Sequence, residues 1–158
     1  MRDLRVSVDV LDFFRTGRFD CLRIGKSQEW ILHNFPDPDD AMDDASAART
    51  IWRFGNVELH FEAHALCMIF SDDVDAIDGG PSIAIDRWRL ADAASRTLGA
   101  MMRALTTEKI DFVKQTTNIG QIELQLTSGV TLTFDAVDPD VSGDGDANDL
   151  ALVAFALR

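Results

Sequence analysis

The segment Gly55–Asp72, GNVELHFEAHALCMIFSD, decides the fold class of this chain of 158 residues. Apolar and polar residues alternate from Val57 to Glu62, which is the pattern of a strand with one face in the core and one in solvent. A short polar turn at residues 62–64 follows. The chain then returns through residues 65–70, which are apolar on both faces, as in a buried central strand. The segment therefore predicts an antiparallel β-hairpin.

A second segment, residues 120–135 (GQIELQLTSGVTLTFD), repeats this pattern. Five positions correspond, namely Gly55, Val57, Glu58, Leu59 and Phe61 with Gly120, Ile122, Glu123, Leu124 and Leu126. An acidic loop follows each hairpin, and the short apolar segment SIAI (82–85) matches LALV (150–153) in order. We predict a single α+β domain, residues 1–158, in which helices pack on one face of antiparallel β-sheet. Two tandem helix–hairpin–strand repeats, about 18–88 and 89–158, are one interpretation. The other is a chance likeness, because strand patterns are degenerate.

Further elements follow from capping residues and hydrophobic spacing. We expect helices between Ser7 and Gly17, from Ser27 to Phe35, and from Leu90 to Leu105. Strands are expected at residues 51–54, 82–88 and 150–157, whereas residues 110–114 could form a strand or a helical turn. Residues 36–48 (PDPDDAMDDASAA) contain five aspartates and two prolines, and this composition predicts a loop with at most a weak helical turn.

Composition narrows the function. The net charge is −12 and the sequence pI is about 4.4, which disfavours binding to nucleic acid or anionic lipid and favours basic partners or cations. The alternative is that the acidity only keeps the protein soluble. No segment has the pattern of a signal peptide or a membrane span. Cys21 and Cys67 lie among apolar neighbours and do not form a disulfide framework. We therefore predict a cytoplasmic protein.

One segment matches a metal-binding template. Residues 138–149 (DPDVSGDGDAND) place oxygen-bearing side chains at EF-hand loop positions 1, 3, 5, 7 and 9, glycine at 6 and a carboxylate at 12. The context does not fit, because a strand precedes the segment and an apolar, extended segment follows it. Position 12 also has the shorter aspartate. We expect an acidic connection without metal, and the alternative function is a calcium-binding or calcium-stabilised α+β module.

Other candidate chemistry is weaker. His60 and His64 flank a hairpin turn with Glu62 between them, so a zinc site could be drawn, although surface turn residues explain the pattern better. Arginines beside Trp52 and Trp88 resemble base-stacking chemistry, but tryptophan in a strand is typically core, and Trp–Arg pairs also suit a protein interface. No catalytic motif or nucleophile–base pair is evident. We expect no enzymatic activity and no cofactor, with a small enzyme using buried carboxylates as the alternative.

The stretches LRIGKSQEWILHNFPDPDD (22–40) and IWRFGNVELHFEAHALCMIF (51–70) carry a resemblance to known proteins. A glycine before a Ser-capped helix, a Pro-Asp loop, a W-x-aromatic-G strand and a hairpin resemble small bacterial immunity proteins. Those proteins are the antidotes of polymorphic or contact-dependent growth-inhibition toxins. The pattern is also similar to the repeated unit of the β-lactamase-inhibitor-protein and SmpA-like fold. It covers about residues 17–75. The second half departs from it, because no matching Trp precedes Gly120.

The resemblance implies a non-catalytic protein that binds and neutralises a cognate bacterial toxin, commonly a basic nuclease. An acidic surface suits that partner, because complementary fields speed the encounter. The residues expected to reach it lie in two acidic segments and on the polar strand face between them. They are Asp37, Asp39, Asp40, Asp43, Asp44, Glu58, His60, Glu62, Asp72, Asp73, Asp75 and Asp78.

Overall fold

A computed structural model describes residues 4–44, 48–136 and 146–158. In these ranges the helices are α1 (Val10–Thr16), α2 (Gln28–Asn34) and α3 (Leu98–Thr107). The strands are β1 (Val6–Asp9), β2 (Asp40–Asp44), β3 (Arg49–Phe54), β4 (Val57–Glu62), β5 (Ala65–Ser71), β6 (Ile83–Asp86), β7 (Phe112–Thr116), β8 (Ile122–Leu126), β9 (Val130–Asp135) and β10 (Ala151–Leu157). The predicted α+β class is confirmed.

Eight of these strands form one antiparallel sheet in the order β2-β3-β4-β5-β10-β9-β8-β7. The sheet consists of two four-stranded meanders, which we call the first meander (β2–β5) and the second meander (β7–β10). They join through the pairing of β5 with β10, and α2 precedes the first meander as α3 precedes the second. Both predicted hairpins, β4–β5 and β8–β9, are confirmed.

The correspondence between SIAI and LALV is wrong. LALV belongs to β10, at the centre of the large sheet, whereas SIAI belongs to β6, which pairs in parallel with β1 in a separate two-stranded sheet. The two similar segments, which begin at Gly55 and Gly120 and which we call the Gly-led segments, also begin at different positions in the sheet. The strand after Gly55, β4, is the third of its meander, whereas the strand after Gly120, β8, is the second of its meander. Their likeness reflects two strands with one face in the core, since such strands share a pattern wherever they lie in a sheet.

The core lies on one face of the large sheet, which we call the inner face. There β4 buries Val57, Leu59 and Phe61. The helices pack against this face through aromatic rings. The Phe13 ring of α1 lies 5.5 Å from the Phe155 ring of β10, and the Phe35 ring after α2 lies 5.4 Å from the Phe54 ring of β3. The core therefore lies on the inner face of the large sheet, where the helices cover it together with Val8 and Ile83 of the small sheet.

The turn of the β4–β5 hairpin explains its register. Ala63 and His64 both have positive φ angles, 50° and 64°. A two-residue turn with this left-handed backbone matches the right-handed twist of its strands. Strand pairing thus extends to Glu62 and Ala65, and the turn is shorter than the one predicted at residues 62–64.

Several predicted boundaries are wrong for local reasons. Asp9, rather than Ser7, caps α1, because its carboxylate accepts from the amide of Leu11 at 2.8 Å. Ser7 lies in β1 instead. The predicted helix from Leu90 is shorter, because the Thr97 hydroxyl accepts from the amide of Ala100 and starts α3 at Leu98. Gly17 ends α1 in the left-handed conformation and Ser27 caps α2, both as predicted.

The acidic segment 36–48 is not a loop throughout. Asp40–Asp44 forms β2 and pairs with β3 along its whole length. Residues 110–114, which could have been strand or helical turn, contribute to β7. β2 and β7 are the two edges of the sheet.

Candidate functional site

The face of the large sheet opposite the helices, which we call the outer face, carries a continuous row of side chains. Residues that pair directly across antiparallel strands point to the same side. In the first meander the pairing gives the row Asp40–Arg53–Glu58–Phe70, and the row beside it is Met42–Ile51–His60–Met68. In the second meander the first row continues as Ala156, Thr131, Gln125 and Val113.

The centre of the first meander's outer face is apolar. Ile51, Met68 and Phe70 are partly buried, and Met42 on the edge strand is 44% exposed. Their partners on the inner face, such as Leu59 and Ile69, are fully buried beneath the helices. Within the described part of the chain, the outer face is thus a half-exposed apolar surface on a rigid sheet. Surfaces of this kind mark interaction sites when polar residues surround them.

Glu58 is the central charged residue of this surface. Its Oε2 lies 2.7 Å from His60 Nε2, and its Oε1 lies 3.5 Å from an Arg53 guanidinium nitrogen. The β3–β4 register holds Arg53 opposite Glu58, and His60 follows on the same side of β4. The Glu58 side chain is only 21% exposed, so its carboxylate is partly desolvated and interacts strongly with cations.

The surroundings of this carboxylate bear on its chemistry. Arg53 Nε is buried without a hydrogen-bond partner. The His60 ring meets the edge of the Phe70 ring at 6.2 Å. The Cys67 thiol donates to the backbone carbonyl of His60 at 3.2 Å, rather than to its ring. Both Glu58 oxygens are therefore engaged within the sheet, one by Arg53 and one by His60.

A second charged row lies beside the first. The register aligns Asp44, Arg49 and Glu62 across β2, β3 and β4. Arg49 and Glu62 also line an open cavity of about 360 Å³, together with His60, Cys67, Met68 and Arg158. The two charged rows contain four carboxylates and two arginines in the first meander, and Arg158 adds a third arginine at the cavity.

Three of the predicted acidic residues have structural contacts instead. Asp39 Oδ2 accepts from the Gly55 amide at 2.6 Å, and Asp78 Oδ1 accepts from the Gly80 amide at 2.9 Å. The Asn56 side-chain amide donates to Asp73 Oδ2 at 3.2 Å. The Asp39 and Asp73 bonds fasten both acidic segments to the β3–β4 turn, and the Asp78 bond lies within its own loop, so we assign the three carboxylates to folding.

The remaining predicted residues are spread over the surface. Asp43 accepts from the Thr50 hydroxyl at 3.0 Å on the other side of β2. Asp72 and Asp75 line an open cleft of about 250 Å³ with Arg96, and Asp37 is exposed before β2. The outer face thus brings together five of the twelve predicted residues, which are Asp40, Asp44, Glu58, His60 and Glu62.

The sequence prediction missed the apolar residues of this surface, Ile51, Met68 and Phe70. It also gave Arg53 no role beside Glu58. The alternation of IWRF contained the signal, because Trp52 and Phe54 are buried and Ile51 and Arg53 therefore face the other way. Trp52 belongs to the core, as expected for tryptophan in a strand.

The metal-site alternatives fare differently. His60 bonds Glu58, whereas His64 Nδ1 bonds Gln28 Oε1 at 2.9 Å, so the two histidines have separate partners. Among the residues that the structure describes, no group of three potential ligands is placed to hold a metal. Most of the segment that matches the calcium-loop template, residues 138–145, lies outside the described residues, so neither the expected metal-free connection nor its calcium alternative is tested there. In the rest of it, Asp146 accepts from the Asn148 amide at 3.0 Å to cap a short 3-10 turn.

Comparisons of the chain with known protein families, with curated proteins and with solved structures each return no match. None of the helices in the described ranges is long and apolar enough to cross a membrane.

Proposed function

We propose that this chain is a non-catalytic immunity or inhibitor protein of the bacterial cytoplasm. It binds and neutralises a cognate basic toxin, of the nuclease type, through an acidic surface. The observation that carries the proposal is the outer face of the first meander, where a half-buried apolar centre lies among carboxylates on an open sheet.

The apolar centre supplies affinity. A stable complex buries about 800 Å² of each partner, and its energy concentrates in a few desolvated anchors. Ile51 on β3 and Met68 and Phe70 on β5 are already partly buried on the two sides of β4, so covering them costs little side-chain entropy. Sheet residues are also positioned more rigidly than loop residues, which favours a preformed binding surface.

The carboxylates supply selectivity. Glu58 already interacts with the Arg53 guanidinium and the His60 ring, and a lysine or arginine of the partner would meet the same carboxylate. The net charge of −12 adds a long-range attraction that accelerates encounter with a cationic protein. Nucleic acid would be repelled by the same field, so the protein competes for the toxin's basic surface without binding the toxin's substrate.

The sheet edges favour binding through the face. β2 presents Asp40, Asp43 and Asp44, and β7 presents Lys114, all on strands at the rim of the sheet. Charged residues on edge strands oppose the addition of another strand. A partner is therefore directed to the outer face rather than to an edge.

The test begins with the genes beside this one, where we expect a toxin gene, and a neighbourhood without any toxin would count against the proposal. Co-expression should protect cells from the active toxin, and an inactive toxin variant should bind the purified chain with one-to-one stoichiometry in calorimetry. Association should slow as salt rises from 0.05 to 0.5 M, because salt screens the attraction, with a Debye length of about 10 Å at 0.1 M. A toxin that kills co-expressing cells and shows no binding heat would reject the proposal.

A further inference from the structure

A basic cavity lies at one end of this acidic molecule. Arg18, Arg23 and Arg158 line an open space of about 410 Å³, together with Thr16, Gly17, Ile24, Ser128 and Leu157. No carboxylate side chain is among these lining residues. In the described part of the chain, none of the three guanidiniums is joined to a carboxylate by an ion pair. In a chain of net charge −12, this is an unusual concentration of uncompensated positive charge.

Three separate elements bring the arginines together. Arg18 follows Gly17, the left-handed residue that ends α1. Arg23 lies in the turn that leads to α2, where its carbonyl accepts from the Lys26 amide at 3.2 Å. Arg158 follows β10. Only Arg18 is explained by its element, because a cation at a helix C-terminus is favourable.

Two close contacts beside the cavity hold the β8–β9 turn against the end of α1. The Ser128 hydroxyl donates to the Phe14 carbonyl at 2.7 Å, which ties the β8–β9 turn to α1. A Cβ on Gly17 would lie 2.7 Å from the Ser128 carbonyl oxygen, so the two segments touch closely. That hydroxyl proton is already used, and the Thr16 hydroxyl donates to the Asp12 carbonyl at 2.8 Å, so the arginines are the lining side chains left to donate to a ligand.

We propose that Arg18, Arg23 and Arg158 bind a phosphate group, either as free inorganic phosphate or on a small organic phosphate. A guanidinium offers a planar fork of donors that matches two phosphate oxygens. The lining has a charge of at least +2 even with a free α-carboxylate on Arg158, which favours a dianion over chloride. The site goes beyond the proposed toxin binding, since it takes a ligand of the opposite charge.

The test is thermal unfolding and calorimetry of the full chain with inorganic phosphate, and separately with adenosine monophosphate. Sodium chloride keeps the ionic strength constant. A site with a dissociation constant of about 1 mM raises the stability in a saturable way, according to RT ln(1 + [L]/Kd). Tighter binding of the nucleotide would indicate an organic phosphate, and equal binding would indicate that the phosphate group alone is recognised. Either result supports the site.

Two double variants make the test specific. R18Q/R23Q should weaken phosphate binding at least fivefold, and its melting temperature in chloride should stay close to that of the parent, because the relief of repulsion offsets the loss of Arg18 at the C-terminus of α1. The control R5Q/R87Q removes the same charge from exposed positions outside the cavity and should bind as the parent does. R18K/R23K keeps the charge without the fork and should give an intermediate loss. An equal loss in R5Q/R87Q, or no saturable response in the parent, would overturn the proposal.

Discussion

The two meanders share a strand order and differ in what they place on the outer face. One row of residues crosses all eight strands. In the first meander it contains an ion pair and an aromatic ring, Arg53, Glu58 and Phe70. In the second meander its central members are small or uncharged, Ala156, Thr131 and Gln125. The same backbone thus carries the surface that we propose for binding on one half and a row of small or uncharged side chains on the other.

This difference shows that the architecture does not place the site. Both meanders bury apolar residues against the helices with the same alternation, and that alternation is what builds the fold. The residues between the buried ones are free of this constraint. The surface that we propose for binding consists entirely of residues at those intervening positions.

The largest expected difference concerns the glycines that open the two Gly-led segments. Both have positive φ angles, +59° at Gly55 and +84° at Gly120. A Cβ on Gly55 would collide with the backbone carbonyl oxygen of Asp78, whereas a Cβ on Gly120 meets nothing within 4 Å. Gly55→Ala should lower the free energy of unfolding by about 3 kcal/mol, and Gly120→Ala by only about 1 kcal/mol for the strained backbone.

Urea unfolding of both variants measures this difference. Equal losses would mean that the acidic loop moves aside without cost and does not fasten the first meander. The turn at Gly55 and Asn56 holds both acidic segments at one end of the first meander, through the Gly55 bond to Asp39 and the Asn56 bond to the Asp78 carbonyl.

The next difference concerns charge. Glu58→Lys should weaken toxin binding about 50-fold, because it replaces a partly desolvated carboxylate with a cation facing a cationic partner. Glu123→Lys makes the same change of charge on the outer face of the second meander and should cost less than about threefold through the general field alone. Calorimetry with the inactive toxin measures both.

The matched pair separates the surface from the overall charge. If both variants lose affinity equally, the net charge attracts the toxin and the first meander has no special role. A loss confined to Glu58→Lys assigns the contact to its outer face. Urea unfolding of each variant checks that the fold is kept.

How far the sequence predicts this arrangement depends on the kind of residue. Val57, Leu59 and Phe61 alternate cleanly, so the hairpin and its buried face could be predicted. β2 could not, because Asp40–Asp44 has no apolar pattern and its side chains are all exposed. Its backbone bonds to β3 make it a strand. Pairing with a neighbouring strand therefore makes a strand of a segment whose own sequence does not favour one.

The candidate site was predicted only in its charged part. Residues 65–70 are apolar on both faces, which predicts a strand buried on both sides. β5 is central, yet its outer side is only half buried within the described structure. A strand that is apolar on both sides does not reveal which side the helices cover and which side stays partly exposed. For that reason Met68 and Phe70 were missed, whereas Glu58 and His60 were found.

A smaller effect is expected from the aromatic anchor. Phe70→Ala should weaken toxin binding about 10-fold, because it removes apolar area that the complex would bury. Thr131→Ala, in the same row on the second meander, should change the affinity by less than about twofold. Surface plasmon resonance should place the Phe70 effect in the dissociation rate. A loss that is equal in both variants would indicate that the toxin covers the whole outer face.

The smallest expected effect is a difference between the two cysteines in how far bound toxin slows their alkylation. Cys67 lies on the outer face beside His60, whereas Cys21 packs against the core on the other side of the sheet. Bound toxin should slow alkylation of Cys67 by iodoacetamide and leave the rate at Cys21 unchanged. Mass spectrometry of the alkylated peptides measures both rates in one sample.

A further prediction concerns how the reactivity of Cys21 and the stability of the protein depend on pH. Burial, with the neighbouring Asp20 side chain, raises the pKa of its thiol above the ordinary value of 9.0. Less thiolate is then present at pH 8, so Cys21 should react more slowly than free cysteine. Since the folded state favours the protonated thiol, this contribution to stability is complete below pH 9.0 and is lost as the pH rises through the higher folded value. In Cys21→Ser, the free energy of unfolding should fall less steeply above that pH. In the alkylation experiment, bound toxin that slows the reaction of Cys21 instead of Cys67 would place the binding surface on the opposite side of the sheet.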